Sequence, residues 1–546
     1  MNPGTPGEPR TTHTVTNQAP ARVDLDELAV NPALMEALAT FAPTADRARL
    51  HAIGTHVGSA AHQRDAELAN TITPRLHQYD RWGNRVDEIE LHPAYTSIMG
   101  YSINNGLHTS AWASPGPGAN VARAVGFMLV SQVEAGHGCP VSMTHAAVPA
   151  LRRSPELAAQ WEPRLLSIDY DPELRDPATK AGVILGMAMT EKQGGSDVRA
   201  NTTTAAPLSD GTYALTGHKW FCSAPQSDAF LVLAQAPEGL TCFLMPRVLP
   251  GGARNPVLIQ RLKDKLGNRS NASSEIELDG AIGWLVGEPG RGVPTIIEMV
   301  NRTRLDCVLG SAAGMRQSVA EAAWHVRHRA AFGRLLVDQP AMAAVVADLQ
   351  LESEAATWTA VALAAAHDDE DRAPLRRLAT AVAKYWVCKR GPHHAYEALE
   401  CLGGNGYTES FPLARRYREQ PVLAIWEGSG NVIALDVLRA LAGTDAWAAF
   451  DEELGTTRGL DLVVDDHHDR LRRLVTAALA DPGAAQSSAR RLVEAMAVAY
   501  QASVLLRWAP AAVSQGYVLA RLGVDRGREY GALPDGVDVA ALVDRA

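Results

Sequence analysis

The spacing of apolar and polar positions divides the chain into helical, strand-rich and again helical stretches. From about residue 24 to 165, apolar positions recur at helical intervals, as in DLDELAVNPALMEALATF and ANVARAVGFMLVSQVEAG. Between about 181 and 290, short runs rich in β-branched and aromatic residues alternate with Gly, Asp, Pro and Asn turns. These runs predict a small β domain with strands near 183–189, 213–221, 229–234, 240–245, 257–262 and 274–278.

Longer helical patterns return after residue 292. One of them runs from Leu378, and Pro392 predicts a kink or a restart within it. Near the end, Leu492, Met496, Tyr500 and Val504 recur at four-residue steps, which predicts a buried helical stripe. The fold class is therefore mainly α with a small β domain. We expect a disordered or extended arm at 1–20, an N-terminal helical domain at 21–180, the β domain at 181–290, a helical bundle at 291–440 and an extra helical domain at 441–546.

Composition narrows the functional classes. With 546 residues, 46% of them hydrophobic, the chain can form three or four domain-sized units. The sequence contains no long uncharged apolar run and no basic, apolar leader, which predicts a cytoplasmic protein without a membrane span. Six dispersed cysteines predict free thiols, and the histidine pairs lack the partners of a metal site. The net charge of −10 disfavours polyanion binding by the molecule as a whole.

The stretch 421–439, PVLAIWEGSGNVIALDVLR, holds the acidic side chain that is best suited to chemistry. An apolar strand is expected to lead into Glu427, and partial desolvation there would raise the proton affinity of a general base. The amides that follow, at Gly428, Ser429, Gly430 and Asn431, favour a phosphate or another electron-rich group. The alternative is a capped helix with Glu427 facing solvent, and this stretch alone does not decide between the two.

Two further features admit competing interpretations. The glycine-dense stretch ECLGGNGY would let amides approach a diphosphate, although such turns more often only end a helix. Residues 441–546 contain 11 Arg, no Lys and 15 acidic residues, a net charge of −4. Arg472, Arg473, Arg490 and Arg491 lie in its most basic part, which is either a local basic face or an ordinary solvated helix surface.

Four motifs in order resemble signatures of the acyl-CoA dehydrogenase family of flavoproteins. They are MAMTEKQGGSDV, GHKWFCS, RHRAAFG and GGNGY, spread over residues 181–440. The resemblance implies an N-terminal helical domain, a middle β-barrel, a C-terminal four-helix bundle, FAD as cofactor and a homotetramer. Within the family, the chain resembles the branch that responds to DNA alkylation damage. Two longer strings, RLKDKLGNRSNAS and YREQPVLAIWEGSGN, and a tail of about a hundred residues carry this resemblance.

By this resemblance, Thr190 lies near the flavin ring, Ser196 near the diphosphate, and Arg329 and Phe332 reach the FAD of a neighbouring subunit. Trp220 forms an aromatic wall, and Gly403 and Gly404 face the diphosphate. The full set of implied FAD contacts is Met187, Met189, Thr190, Gly195, Ser196, Trp220, Phe221, Cys222, Ser223, Arg329, Phe332, Gly403, Gly404, Trp426, Gly428, Ser429, Gly430 and Asn431.

The family's reaction is α,β-dehydrogenation of an acyl thioester, and some members carry the base on an earlier helix. That earlier position corresponds to Thr303 here, which cannot accept a proton at neutral pH, so the resemblance implies Glu427 as the base and Arg304 as the residue that orients or electrostatically modulates it.

Three functions remain open at this point. The first is an FAD oxidoreductase acting on an acyl-CoA or an alkylated small molecule. The second is a DNA-associated protective protein with little turnover. The third is an ordinary acyl-CoA dehydrogenase of lipid or secondary metabolism. The resemblance implies binding of double-stranded DNA by the tail, for which Arg439, Arg472, Arg473, Arg490 and Arg491 are the candidates, although an acidic, Lys-free tail departs from that expectation.

Overall fold

The computed structural model describes residues 12–546, and its N-terminal third is a helical layer with one β-hairpin. The predicted arm at 1–20 falls partly outside this range, and residues 12–20 have no regular secondary structure. The elements are α1 Pro32–Phe41, α2 Arg47–Gly58, α3 Ala60–Thr71, β1 Arg75–Tyr79, β2 Arg85–Glu90, α4 Pro93–Asn104, α5 Ser110–Ala113, α6 Ala119–Ser131, α7 Gly138–Leu151 and α8 Pro155–Leu165.

The β1–β2 hairpin was not predicted, because its strands are polar and lack the alternation of a half-buried strand. Tertiary contacts stabilise it. Gln78 Nε2 donates to the carbonyl of Ile259 at 2.8 Å, and Asp87 Oδ1 accepts from the amide of the same residue at 3.2 Å. The hairpin therefore depends on a docking partner that lies about 180 residues away in the chain.

The middle of the chain forms a closed β-barrel. All six predicted strands are present, and a short strand that the sequence did not indicate, Thr204–Pro207, joins them. The strands are β3 Leu185–Ala188, β4 Thr204–Pro207, β5 Tyr213–Ser223, β6 Ala229–Ala236, β7 Gly239–Pro246, β8 Val257–Leu262 and β9 Ser273–Val286. Neighbours pair in the order β3-β6-β4-β5-β9-β7, and an additional β6–β7 pairing closes the ring while β8 pairs with β9. Phe230, Phe243 and Leu215 fill its interior.

A helical bundle follows the barrel, with a single unbroken helix of 37 residues at its centre. The helices are α9 Gly292–His328, α10 Pro340–Ala366, α11 Ala373–Glu400, α12 Leu413–Leu423 and α13 Gly430–Leu441, with a small ribbon, β10 Ala330–Ala331 and β11 Arg334–Leu335, after α9. Helix α11 continues through Pro392, so the predicted kink or restart is not a helix boundary. Together with the barrel, this bundle confirms the predicted fold class.

The tail is helical, as predicted, and it packs on the bundle. Its elements are α14 Thr444–Gly455, α15 Leu462–Ala480, α16 Pro482–Trp508, α17 Ala511–Tyr517 and α18 Val539–Asp544. The predicted stripe of α16, Leu492, Met496, Tyr500 and Val504, is buried in the same core as α9, α10 and α11. At the end of the chain, Arg545 forms ion pairs with Glu36 at 2.7 Å and with Glu354 at 2.6 Å.

Across residues 12–546, no helix is long and apolar enough to cross a membrane. The same residues contain no group of three or more His, Cys, Asp or Glu side chains that could hold a metal ion. All six cysteines are free.

Candidate active site

Glu427 lies in a tight turn between two helices. The prediction of an apolar strand before it was wrong, since Val422 and Leu423 complete α12 and a turn follows up to Ser429. The run packs on Cys307 and Cys388, and periodicity alone cannot distinguish so short a buried run from the end of a buried helix. Glu427 has a φ of 56°, in the left-handed region that only a few per cent of residues other than glycine adopt.

The carboxylate of Glu427 is bound by the helix that passes beneath it. The hydroxyl of Thr303, on α9, donates to Glu427 Oε2 at 2.7 Å. Burial raises the pKa of the Glu427 carboxyl above its ordinary value, while the Thr303 hydrogen bond and the cations of Arg304 and Lys384 oppose that rise. The predicted desolvation is therefore present, and the alternative of a solvent-facing glutamate does not fit the surroundings of this side chain.

Two cations hold the backbone of the turn. Arg304 Nε donates to the carbonyl of Glu427 at 3.1 Å, and Lys384 Nζ donates to the carbonyl of Gly428 at 2.6 Å. Arg304 is itself fixed by Asp436, which it contacts at 2.7 Å and which also pairs with Arg377 at 2.8 Å. A left-handed non-glycine residue costs about 1–3 kcal/mol, so this turn requires such support. Arg304 thus orients Glu427 through its main chain.

The barrel presents the TEKQGGSDV loop and the end of β5 on one face. The amide of Trp220 donates to the carbonyl of Thr190 at 2.8 Å, which ties the two segments together. Beneath them, Lys219 and Glu191 form a fully buried ion pair at 2.8 Å. A side chain at Gly195 would meet the hydroxyl of Thr190 at 2.4 Å, so the loop requires glycine there.

The predicted flavin contacts on this face differ in exposure. Met187 and Met189 lie half-buried at the edge of a core cluster, and Ser196 is exposed. The ring of Phe221 is 52% exposed. Cys222 is fully buried in the barrel core, where burial raises the pKa of its thiol to about 12, so the thiol does not reach the surface of this face.

Cys139, at the start of α7, links the barrel face to Glu427, and no pattern in the sequence selected it. Burial raises the pKa of its thiol to about 11, and the negative charge of Glu427 acts in the same direction. A hydrogen bond with Ser223 and the cation of Lys265 oppose this rise. Glu427 and the end of β5 therefore share one neighbour. Lys265, which also escaped prediction, donates to Ser273 Oγ at 2.9 Å.

A second group of predicted residues lies at the far end of α9. Arg329, Gly403 and Gly404 line one cavity of about 400 Å³, together with His325, Leu336, Met342, Glu400, Cys401, Leu402 and Asn405. Phe332, close by in the chain, is 98% exposed at a φ of 53°. From Thr303 to Arg329 the chain advances 26 residues, or about 39 Å along a straight helix. These residues are thus remote from Glu427 of the same chain.

The structure separates the five arginines that the sequence proposed as a basic group. Arg439 is exposed on α13, 4.0 Å from Asp436. Arg472 pairs with Asp451 at 2.7 Å and with Asp469 at 3.1 Å, so two carboxylates neutralise it. Arg473 and Arg491 are exposed on α15 and α16. Arg490 instead reaches the turn beyond Glu427, where its Nε donates to Asn431 Oδ1 at 2.7 Å.

Helix α13 begins at Gly430, and Ser429 precedes it without a capping hydrogen bond from its side chain. Gly428 has a φ of 107° and completes the turn. The indole N–H of Trp426 is buried and has no hydrogen-bond partner among residues 12–546. This segment therefore offers main-chain and side-chain donors beside Glu427.

Models of three protein families match consecutive parts of the chain. The model of the adaptive response protein AidB N-terminal domain matches residues 17–172. The acyl-CoA dehydrogenase middle domain matches residues 186–281, and the acyl-CoA dehydrogenase C-terminal domain matches residues 290–442. The tail that follows lies outside these matches.

Individual relatives agree with the family models. The putative acyl-CoA dehydrogenase AidB of Escherichia coli strain K12 is 46% identical over 473 residues, which cover 85% of this chain and 87% of the relative. The acyl-CoA dehydrogenase family member 11 of Caenorhabditis elegans is 32% identical over 443 residues, or 76% of this chain and 70% of the relative. A crystal structure of C. elegans ACDH-11 in complex with C11-CoA superposes with a TM-score of 0.85 at 26% identity and covers 96% of both chains.

Proposed function

Because the chain belongs to the acyl-CoA dehydrogenase family and resembles AidB within it, we propose that it is an FAD-dependent oxidoreductase in which Glu427 removes the α proton of an acyl thioester. One observation carries the proposal. A carboxylate with a raised pKa lies in a strained, braced turn, and it shares Cys139 as a neighbour with the end of β5. A general base needs a proton affinity closer to neutrality than a solvated carboxylate has, and burial supplies it here.

The residues fit an isoalloxazine and a diphosphate. The ring of Phe221 is 52% exposed, and Thr190, Ser196 and Ser223 offer hydroxyls that are at least partly exposed. The unpaired indole N–H of Trp426 and the open amide end of α13 supply further donors. When bound, FAD would supply the acceptor for the hydride that leaves the substrate β carbon.

The protein's own groups account for the proton. Thr303 donates to Glu427 Oε2 and leaves Oε1 for the α proton. Arg304 and Lys384 hold the flanking carbonyls, so the carboxylate keeps its direction when its charge changes. Burial keeps Cys139 a neutral thiol, which makes it unsuited to compete as a base. Glu427 is therefore the group that we assign to proton abstraction.

We further propose that the protein is a homotetramer built from dimers. The cavity at Arg329, Gly403 and Gly404 lies about 39 Å along α9 from Thr303, which is farther than one FAD at Glu427 can reach. Beside it, the ring of Phe332 is 98% exposed at a left-handed φ of 53°. Both features are accounted for if these residues contact the FAD of a neighbouring subunit.

The substrate class follows from the relatives. The C. elegans homologue was crystallised with C11-CoA, and we propose an acyl-CoA here as well, with an alkylated small molecule as the alternative. Anaerobic bleaching of the flavin by a series of acyl-CoAs tests the proposal. Glu427→Gln should abolish bleaching while FAD stays bound, because the amide keeps the shape but cannot take the proton. Glu298→Gln, on the outer side of α9, is the matched control and should bleach normally.

Full bleaching by Glu427→Gln would refute the assignment of the base. A protein that stays colourless when FAD is supplied would refute the proposed function as a whole. If FAD binds and none of the acyl-CoAs bleaches it, the alkylated small molecule becomes the better candidate.

Binding of double-stranded DNA is a second candidate function, supported by the exposed arginines of the tail. His467 Nε2, in the first third of α15, contacts the carbonyl of Ala495 at the middle of α16 at 2.9 Å, and the two helices are joined by the single residue Asp481, so the residues after His467 on α15 lie beside those before Ala495 on α16. Arg473 and Arg491 are exposed in these two stretches. Removing one arginine that neutralises a phosphate should lower the slope of log affinity against log salt by about 0.9. We expect Arg473→Ala with Arg491→Ala to reduce the slope by about 1.8 in a salt titration, whereas an unchanged slope would exclude this face.

A further inference from the structure

Helix α16, in the tail beyond the family match, contacts the proposed flavin segment directly. Arg490 Nε donates to Asn431 Oδ1 at 2.7 Å. Asn431 lies in the first turn of α13, four residues after Glu427. A side chain at the far end of the sequence thus holds the segment that offers its amides to the cofactor.

A second cation converges on the same turn. A Cβ atom added to Gly430 would lie 3.2 Å from Lys389 Nζ and 3.5 Å from Arg490 Nη2. Lys389 belongs to α11, so two different helices deliver positive charge to one backbone position. Burial lowers the pKa of Lys389, and the neighbouring cations of Arg490 and Lys384 lower it further.

This arrangement is unfavourable without a negative partner. The amide end of a helix carries a partial positive charge, so cations placed there repel both the helix and each other. Ser429 does not cap the amides with its side chain. Glu494 lies on α16 one turn beyond Arg490, and no ion pair joins the two in the described part of the chain. A bound anion would relieve the repulsion. Removing one of these cations should therefore weaken the binding of an anionic ligand at this turn.

We propose that Arg490 is a positioning residue for the cofactor: through Asn431 it fixes the first turn of α13, and the tail thereby sets the affinity for FAD. The proposal rests on the proposed function, because it takes FAD as the ligand of this segment. It assigns Arg490 to the flavin site and leaves the neighbouring Arg491 on the outer surface.

Arg490→Ala and Arg491→Ala are a matched pair, since both remove one exposed arginine from adjacent positions of α16. We expect Arg490→Ala to weaken FAD binding to the apoprotein about five- to tenfold, the effect of one charge-assisted hydrogen bond in a partly exposed site, measured by quenching of flavin fluorescence. Arg491→Ala should stay within about twofold of the wild type. Equal effects of the two changes, or no effect of either, would overturn the proposal.

Two further measurements separate positioning from general stability. The melting temperature of apo Arg490→Ala should equal or exceed that of the wild-type apoprotein, because a repulsion with Lys389 is removed, while the stabilisation gained on adding FAD should shrink. A lower apo melting temperature with an unchanged FAD affinity would mean a structural role only. Asn431→Ala combined with Arg490→Ala should weaken FAD binding no more than the stronger single change; additive losses would contradict the contact.

The proposed function can fail independently of this inference. If the wild-type apoprotein does not bind FAD, the function is wrong and the arginine has no ligand to act on. If the wild type binds FAD and Arg490→Ala binds it equally well, only the role of the tail is wrong.

Discussion

The Thr303 hydroxyl lowers the proton affinity of Glu427 against the effect of burial, and Thr303→Val tests this relation. Valine has nearly the same shape, and the site is only 4% exposed, so the change removes the hydrogen bond with little loss of packing. The hydroxyl donates at 2.7 Å to Glu427 Oε2, and this bond lowers the pKa of a carboxyl that burial has raised. Without the bond, the pKa of Glu427 should rise further.

The magnitude follows from the contact. A hydrogen bond to a charged group contributes about 1.5–3 kcal/mol, and about 1.4 kcal/mol corresponds to one pH unit in a titration midpoint. The acidic limb of the kcat/KM profile should therefore move to higher pH by about one to two units. Below the wild-type midpoint, the same change lowers kcat/KM by about ten- to a hundredfold, because less of the base is ionised.

The assay is anaerobic stopped-flow reduction of the bound flavin by an acyl-CoA across a pH series. Thr303→Ser is the matched control. It keeps the hydroxyl, so the acidic limb of its kcat/KM profile should lie at the same pH as that of the wild type. Flavin content and melting temperature of each variant show whether the site is intact. The role of the hydroxyl is refuted if the limb of Thr303→Val coincides with that of the wild type or moves to lower pH while flavin remains bound.

Two predictions concern stability. Lys219→Met should lower the free energy of unfolding by about 3–5 kcal/mol, because it leaves the buried charge of Glu191 unpaired. Lys192→Met, on the exposed loop, is the control and should change that free energy by less than about 0.5 kcal/mol. Comparable denaturant midpoints for the two variants would contradict this prediction. Burial raises the pKa of the Glu419 carboxyl from 4.5 to about 7, so the folded protein binds this proton more tightly than the unfolded chain. The resulting contribution to the free energy of unfolding is fully present below about pH 4.5 and is lost as the pH rises through 7. Denaturant midpoints measured across this window should show the wild type losing up to about 1.4 kcal/mol per pH unit relative to Glu419→Gln. Parallel pH dependences of the two proteins would exclude Glu419 as the cause.

The barrel and the bundle were predictable because their patterns are local. The β-branched runs of β5 to β9 alternate with turn residues, and every one of them is a strand. The β1–β2 hairpin and β4 were missed because polar or alanine-rich strands carry no such pattern. The run at 422–426 was wrongly expected to be a strand, since an apolar pentapeptide fits the buried end of a helix equally well.

The candidate site was predictable only where a motif or the resemblance named its residues. Glu427, Thr303 and Arg304 were selected in this way, and the structure brings them together. Cys139 and Lys384 were not, because each reaches the site from a different helix and neither belongs to a local signature. Arg490 was assigned to a basic group from its neighbours in sequence, whereas its partner Asn431 lies 59 residues earlier in the chain.

The unbroken helix α9 determines the spacing between the two ends of the subunit. One inserted residue would advance everything beyond it by about 1.5 Å and rotate it by about 100°. An insertion between Thr303 and Arg329 would thus turn the far cavity away from any adjoining molecule while the base stayed in register. Length variation in this protein should accordingly be tolerated in the barrel turns and at the hairpin tip, and not within these 26 positions.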